Sequence, residues 1–387
     1  MSKQEDSRPR EGYLLLADIS GYTEFLTGTE LEHAQEIIRE LTATIRERLT
    51  PPMRFVKLEG DAVFCYSNAE VFRDGERFVE LIEACYFDFC NRLDDMARST
   101  ICRCNACAAI GSLGLKFVAH YGTFIVEREG AGEDLAGPDV ILVHRLLKNS
   151  ISGTGGPTAY AFLTDACIGH LPSSFNLPRH SEVYESFGRV FGGVHDLVPA
   201  LAAMRERRRH IVTVEEADFR MTVDVPLTPS VAWQYVVDPI ERLRWVCDVS
   251  SLWWPQFGKG PDSLDRNTSG RTGVGAKTHC GHAPKGITAL REFIDWRPFS
   301  YLTFRTSSMF DSATIETWEF ESAGEHGTRI NVRSRLTTGR RVAHLGWRMF
   351  KPLYAARMRR AGALLRKTIE EDAATLGIGG FDSSLSP

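Results

Sequence analysis

The stretch Phe55-Val56-Lys57-Leu58-Glu59-Gly60-Asp61-Ala62-Val63-Phe64 most limits what this chain can fold into. An apolar run enters Gly60-Asp61 and an apolar run leaves it. A Gly-Asp pair so placed is hairpin-turn chemistry, and it sets the Asp61 carboxylate on the tip of the hairpin. Earlier, Tyr13-Leu14-Leu15-Leu16-Ala17-Asp18-Ile19-Ser20-Gly21 is an unbroken apolar run ending in an acid. Such a run reads as a buried central strand with Asp18 at its exit. Two strand-end carboxylates beside glycines, which let a ligand approach the backbone, suit Mg²⁺ or Mn²⁺ in phosphate chemistry. Aspartate beside glycine is also ordinary turn chemistry, and that plainer reading stands next to the first.

Composition bounds the rest. The chain has 387 residues, of which 43% are hydrophobic, enough for two or three domains with their own cores. A net charge of −4 implies neither a nucleic-acid partner nor a membrane surface. The start is polar and lacks the apolar core of a signal peptide. No stretch approaches the ~20 apolar residues of a membrane span. Nine cysteines, an odd number, are expected as reduced thiols, and the expected location is cytoplasmic.

In chain order, a strand at 13–19 precedes an amphipathic helix at 30–49, where Leu31, Ala34, Ile37, Ile38, Leu41 and Ile45 recur at helical spacing. Pro51-Pro52 stops it. The hairpin follows, then a helix at 75–97, a strand at 115–122 and a helix from Asp139 to Lys148. This order predicts an α+β sandwich over residues 12–200. Residues 201–210 are charged and read as a linker. A second domain is expected at 211–375 and a loose tail at 376–387. His210 to Val225 alternates as a strand, and Thr228-Pro229-Ser230 opens a helix. Strand-like runs at 276–281, 286–296, 301–307, 313–321 and 327–336 precede a long helix at 341–373. One helix lying in a curved antiparallel sheet makes a cavity.

Four segments in order carry a resemblance: Leu16 to Thr23, Lys57 to Val63, Lys116 to Gly122, and Glu133 to Leu146. With them, residues 12–200 resemble a class III nucleotidyl cyclase homology domain. The cysteine cluster and Val-His-Arg-Leu-Leu-Lys-Asn narrow the resemblance to the branch known as DUF2652. The second domain is similar, by pattern, to the SRPBCC (START/polyketide-cyclase-like) helix-grip fold. The fold class implied is α+β: a ferredoxin-like cyclase-homology sandwich followed by a helix-grip domain.

The resemblance assigns roles. Asp18 and Asp61 would hold two divalent cations. Lys57 and Asp134 would read a purine edge, lysine donating to the ring and carboxylate accepting from an exocyclic amine. Arg145 would meet the developing charge on the α-phosphate. The family's asparagine falls on Ile141, which has no hydrogen-bonding group, and its late lysine falls near Arg189. The implied activity is therefore purine nucleotide and metal binding with weak or absent cyclisation. Such sites form between two subunits, so a homodimer is implied. The helix-grip part implies a hydrophobic small-molecule ligand.

Two other functions remain open at this level. One is a non-catalytic sensor or scaffold whose C-terminal cavity binds a lipid or aromatic ligand. The other is an enzyme of the C-terminal domain acting on an aromatic or polyketide substrate. It needs an acid/base group in the cavity, with Asp311, Glu316 and His279 as candidates. Cys102, Cys104 and Cys107 form Cys-x-Cys-x-x-Cys, three ligands for Zn²⁺, with Cys85, Cys90 or His120 as a fourth. Buried free thiols are the plain alternative. His120 and His144 read first as packed structural residues, and Trp245, Trp253 and Trp254 as core.

Overall fold

The structure is a computed structural model. It describes residues 8–72, 75–99, 102, 104–129, 132–153, 155–173, 175–206, 209–250, 263–267, 270–279, 290–308, 312–324, 326–338 and 341–376. The chain divides into two compact units, Met1–Arg207 and Arg208–Pro387.

The first unit runs β1 (Arg10–Ser20), α1 (Tyr22–Gly28), α2 (Leu31–Leu49), β2 (Arg54–Glu59), β3 (Ala62–Asn68), α3 (Glu76–Ser99) and α4 (Asn105–Ala109). It continues with β4 (Gly114–Glu129), β5 (Gly132–Ala136), α5 (Pro138–Leu146), β6 (Tyr160–Thr164), α6 (Asp165–Ile168), β7 (Arg179–Tyr184), β8 (Gly188–Asp196) and α7 (Leu197–Glu206). The sheet order is β2-β3-β1-β4-β6-β8-β7, with β5 paired to β4. The apolar run of β1 lies between β3 and β4, antiparallel to both. Tyr13, Leu14, Leu15, Leu16 and Ala17 are all buried, so side chains on both faces of the strand are covered. That is why the run has no polar alternation. Helix α2 packs on α3, and α5 lies on β4 and β1. The arrangement is the expected α/β sandwich.

Residues 201–206, expected in a linker, complete α7. Arg205 reaches Asp94 of α3 at 2.7 Å. Arg205 and Glu206 lie on the exposed side of that helix. The Gly-rich connection before α5 holds strand β5, because Gly132–Ala136 folds back on the long end of β4.

The second unit runs β9 (Phe219–Val225), α8 (Pro229–Val237), α9 (Pro239–Ser250), β10 (Ser263–Asp265), β11 (Lys277–His279), β12 (Leu290–Arg297), β13 (Tyr301–Ser308), β14 (Ser312–Ala323), β15 (Gly327–Thr338) and α10 (Arg341–Leu376). Its sheet is an antiparallel meander, β10-β11-β12-β13-β14-β15, closed onto β9. With α10 packed on β9 and β15, this is the helix-grip arrangement. The strand expected from His210 begins only at Phe219. Before it, the backbone N–H groups of His210 and Val212 bond to the side chains of Asp295 and Thr317 rather than to a neighbouring strand. The core centres on Trp233, wholly buried, with the Trp296 ring 5.0 Å and the Phe320 ring 5.2 Å away. Trp245 is core as expected and donates from Nε1 to the Tyr235 carbonyl. Trp253, Trp254 and Phe257 lie outside the described residues.

Candidate functional site

The β2–β3 register pairs Glu59 with Ala62, leaving Gly60 and Asp61 as a two-residue turn. Gly60 has φ 67°, a conformation that strains any residue with a Cβ. Because β3 pairs with β1 as far as Val63 opposite Ala17, the turn comes to the exit of β1. There the Asp61 carboxylate accepts a hydrogen bond from the backbone N–H of Ile19, the residue after Asp18. Burial, and then the charge of Asp18, push the Asp61 carboxyl up to about 6. On the other side, β4 sets Lys116 opposite Asp18, with Nζ 2.9 Å from Asp18 Oδ2. The ammonium pairs with Asp18, and Asp61 brings a second carboxylate beside that pair. The surplus negative charge and the hard oxygen donors fit a Mg²⁺ or Mn²⁺ ion. The role of Lys116 was not read from the sequence. Its position opposite Asp18 depends on the β1–β4 register.

Lys57 and Asp134 also meet. Lys57 Nζ donates to both carboxylate oxygens of Asp134, at 3.0 and 3.1 Å. Chiefly through that bond the Lys57 ammonium is held above its ordinary value. Asp134 is held below the usual carboxylate range; its partial burial works the other way, but Lys57 and the backbone N–H of Leu135 outweigh it. Glu59 Oε1 lies 3.5 Å from Lys57 Nζ, and Glu59 Oε2 lies 2.9 Å from His144 Nδ1. The His144 ring stands edge-on to Phe64, and burial lowers its affinity for a proton.

Helix α5 begins with Pro138 at its first turn and buries Val140, Leu142, Val143 and Leu146. Ile141 and Arg145, one turn apart, are left on the exposed face, and Ile141 is 55% accessible. Asn149 caps the end of this helix: Nδ2 donates to the Leu146 carbonyl, and Oδ1 accepts from the Tyr160 hydroxyl. Arg189 is exposed and donates to Ser181 Oγ at 3.1 Å. His120 is buried, with Nδ1 2.8 Å from Thr164 Oγ1 and Nε2 3.3 Å from Asp139 Oδ1. That is the packed role expected of it.

The cysteine cluster gathers differently from expectation. Cys102, Cys104 and Cys107 come together with His33, each offering one ligand atom, all within 4.8 Å of one another. Cys85 and His120, proposed as fourth ligands, are buried elsewhere, and Cys90 is not in the group. His33 lies in the first turns of α2, nearly 70 residues earlier, and only the packing of α2 on α4 brings it there. A histidine on the polar face of an amphipathic helix carries no local signal of this role.

In the second unit, Glu316 on β14 is buried with its carboxylate toward α10. It accepts from the Tyr354 hydroxyl at 2.7 Å and from Trp318 Nε1 at 2.6 Å. Tyr354 also meets Ser334 Oγ at 2.8 Å. Burial raises the carboxyl of Glu316 above its ordinary range, and burial likewise holds Tyr354 protonated. His279 sits on the short strand β11, and Asp311 lies outside the described residues.

Residues 38–155 match the family model described as "Protein of unknown function (DUF2652)", and residues 216–370 match that described as "Polyketide cyclase / dehydrase and lipid transport". Each of the two units thus carries a match to one of these family models. "Uncharacterized protein Rv2561/Rv2562" of Mycobacterium tuberculosis is 34% identical over 125 residues, 32% of this chain and 55% of its own length. The chain therefore spans about half the length of that relative. Among solved structures, the adenylyl cyclase CyaB from Pseudomonas aeruginosa aligns with a TM-score of 0.39 at 16% identity, over 53% of this chain and 98% of its own. A class III adenylyl cyclase-like ATP-binding protein from the same species aligns at 0.34 and 17% identity, over 44% of this chain and 36% of its own. Among the described residues no helix is long and apolar enough to cross a membrane.

Proposed function

We propose that the DUF2652 unit binds a purine nucleoside triphosphate with Mg²⁺ or Mn²⁺ and cyclises it weakly or not at all. The polyketide cyclase/lipid transport unit binds a hydrophobic small molecule. The observation that carries this reading is the meeting of Asp18 and Asp61 at one end of the sheet, where burial and then the charge of Asp18 raise the Asp61 carboxyl. A pair of carboxylates that repel each other is relieved by a divalent cation. Once bound, such an ion would polarise phosphate oxygens and lower the pKa of an attacking hydroxyl. Lys57 and Asp134 supply donor and acceptor for a purine edge from a neighbouring place on β2 and β5. Arg145 is free of the sandwich core and available to a phosphate. Ile141 offers only methyl groups where an amide would orient the ribose, and loss of such positioning lowers turnover by about 10²-fold. A homodimer completes the site in this reading; Leu58 and Ile141, both exposed, would lie near it.

The test is calorimetry with Mn²⁺, then with ATP or GTP in Mn²⁺, beside an assay for cyclic product. Asp18→Asn and Asp61→Asn should each weaken Mn²⁺ binding by about tenfold or more with the fold intact. Ile141→Asn should raise cyclic-nucleotide production. Unchanged Mn²⁺ affinity in both aspartate variants refutes the metal site. Brisk cyclisation by the unmodified protein refutes the assigned role of Ile141. Metal binding without nucleotide binding favours the sensor or scaffold reading.

A second reading, chemistry in the C-terminal unit, is favoured by Glu316. A buried carboxyl with a raised pKa and a tyrosine partner is the acid/base group such an enzyme needs.

A further inference from the structure

We propose that His33, Cys102, Cys104 and Cys107 form a closed Cys₃His zinc site that staples the start of α2 to α4 and the residues just before it. The sulfur–nitrogen distances are already of tetrahedral scale. With Zn–S about 2.3 Å and Zn–N about 2.0–2.1 Å, tetrahedron edges are about 3.8 Å between sulfurs and about 3.6 Å between sulfur and nitrogen. His33 Nδ1 lies 3.1 Å from Cys104 Sγ, 3.7 Å from Cys102 Sγ and 3.9 Å from Cys107 Sγ. The imidazole nitrogen therefore faces all three sulfurs at once, as a fourth ligand does.

The surroundings hold this arrangement. Cys104 precedes α4, and its sulfur accepts the backbone N–H of Cys107 at 3.4 Å. Glu30, just before α2, accepts the backbone N–H of Ala106 at 3.0 Å through Oε2. That bond crosses between the two segments that carry the ligands, and it keeps His33 over the Cys-x-x-Cys turn.

The alternative for a cysteine is burial as a small apolar side chain. Cys65, Cys85 and Cys167 take that role, and burial raises the pKa of each thiol. Cys102 is exposed, and Cys104 and Cys107 are only half-buried. Packing does not account for three cysteines gathered at the surface around one imidazole. Binding replaces three thiol protons, released to solvent, with one Zn²⁺ shared by three thiolates and a neutral imidazole. Four protein ligands leave no open position, so the site is structural and does not activate water. It is distinct in its residues from Asp18 and Asp61, and its fate does not depend on the nucleotide reading.

The test uses the full chain purified without chelator. Elemental analysis should find about one zinc per chain. Exchange with Co²⁺ should give the visible d–d bands and sulfur-to-cobalt charge-transfer absorption of a tetrahedral thiolate site. His33→Ala and Cys104→Ser should each lower zinc affinity by on the order of tenfold or more and change the Co²⁺ spectrum, whereas Cys90→Ser should leave both unchanged. A folded, zinc-free protein that takes up neither Zn²⁺ nor Co²⁺ overturns the proposal. So does a Co²⁺ spectrum that is the same in the His33 and Cys104 variants as in the unmodified chain.

Discussion

At the scale of the residue, Lys116 is the cation that stands beside the acidic pair. Its ammonium, 2.9 Å from Asp18, occupies the place a cation would compete for. Two unit charges at that range interact by roughly a kcal/mol or more even in high dielectric, so removing one of them is worth about tenfold in an equilibrium. Lys116→Met keeps the length of the side chain along β4 and removes the charge. It should raise Mn²⁺ affinity about tenfold, read by calorimetry at fixed ionic strength. If Lys116 served only to pack the strand, the affinity would not change. Ile141 is the opposite case: an apolar residue left exposed on the face of α5 that also presents Arg145. Burial does not explain it, and its methyl groups offer a ligand no hydrogen bond.

At the scale of the element, α5 is held by its first turn. Asp139 Oδ2 accepts the backbone N–H of Thr123 at 2.6 Å, and its carboxylate lies against Gly122 of β4. A Cβ at Gly122 would sit 2.4 Å from Asp139 Oδ2. Gly122→Ala therefore has to push the Asp139 side chain, and α5 with it, away from the strand. Overpacking of this kind costs about 1–3 kcal/mol. The expected result is a lower denaturation midpoint for the N-terminal unit, and with it a loss of the α5 geometry that presents Arg145. A midpoint equal to that of the unmodified chain would mean the strand–helix contact is soft.

At the scale of the whole molecule, each unit buries its own core, so each has its own stability and its own dependence on pH. In the C-terminal unit the buried Glu316 carboxyl holds its proton to higher pH than it would in the unfolded chain. Above the ordinary carboxyl pKa the folded state keeps a proton that the unfolded state has released. Stability from this group is therefore complete below the ordinary value and declines as pH rises through the folded one. Glu316→Gln cannot ionise and still offers Trp318 an acceptor. It should flatten that decline and raise the melting temperature of the C-terminal unit at pH 8, with the N-terminal transition unmoved. Scanning calorimetry of the full chain at pH 4 and pH 8 reads both. A parallel pH profile for variant and parent would show that Glu316 titrates as it does in the unfolded chain.

Local pattern was enough for much of this protein. The apolar run of β1, the Gly60-Asp61 turn, the helical spacing of α2 and α3 and the length of α10 are all properties of neighbouring residues, and periodicity reports them directly. The acids at strand ends and the cysteine triplet were visible for the same reason, whereas Lys57 and Asp134 were paired only by the resemblance of the segments that hold them. What the sequence did not contain was register and docking. Lys116 faces Asp18 only because β1 and β4 pair in one alignment, and a one-residue slip would turn it to the other face. His33 reaches the cysteines only because α2 lies on α4. Glu316 is one of many alternating residues on a strand until α10 closes over it and Tyr354 meets it. Short-range preference determined the elements and their chemistry; burial of their apolar faces against distant partners decided which side chains meet.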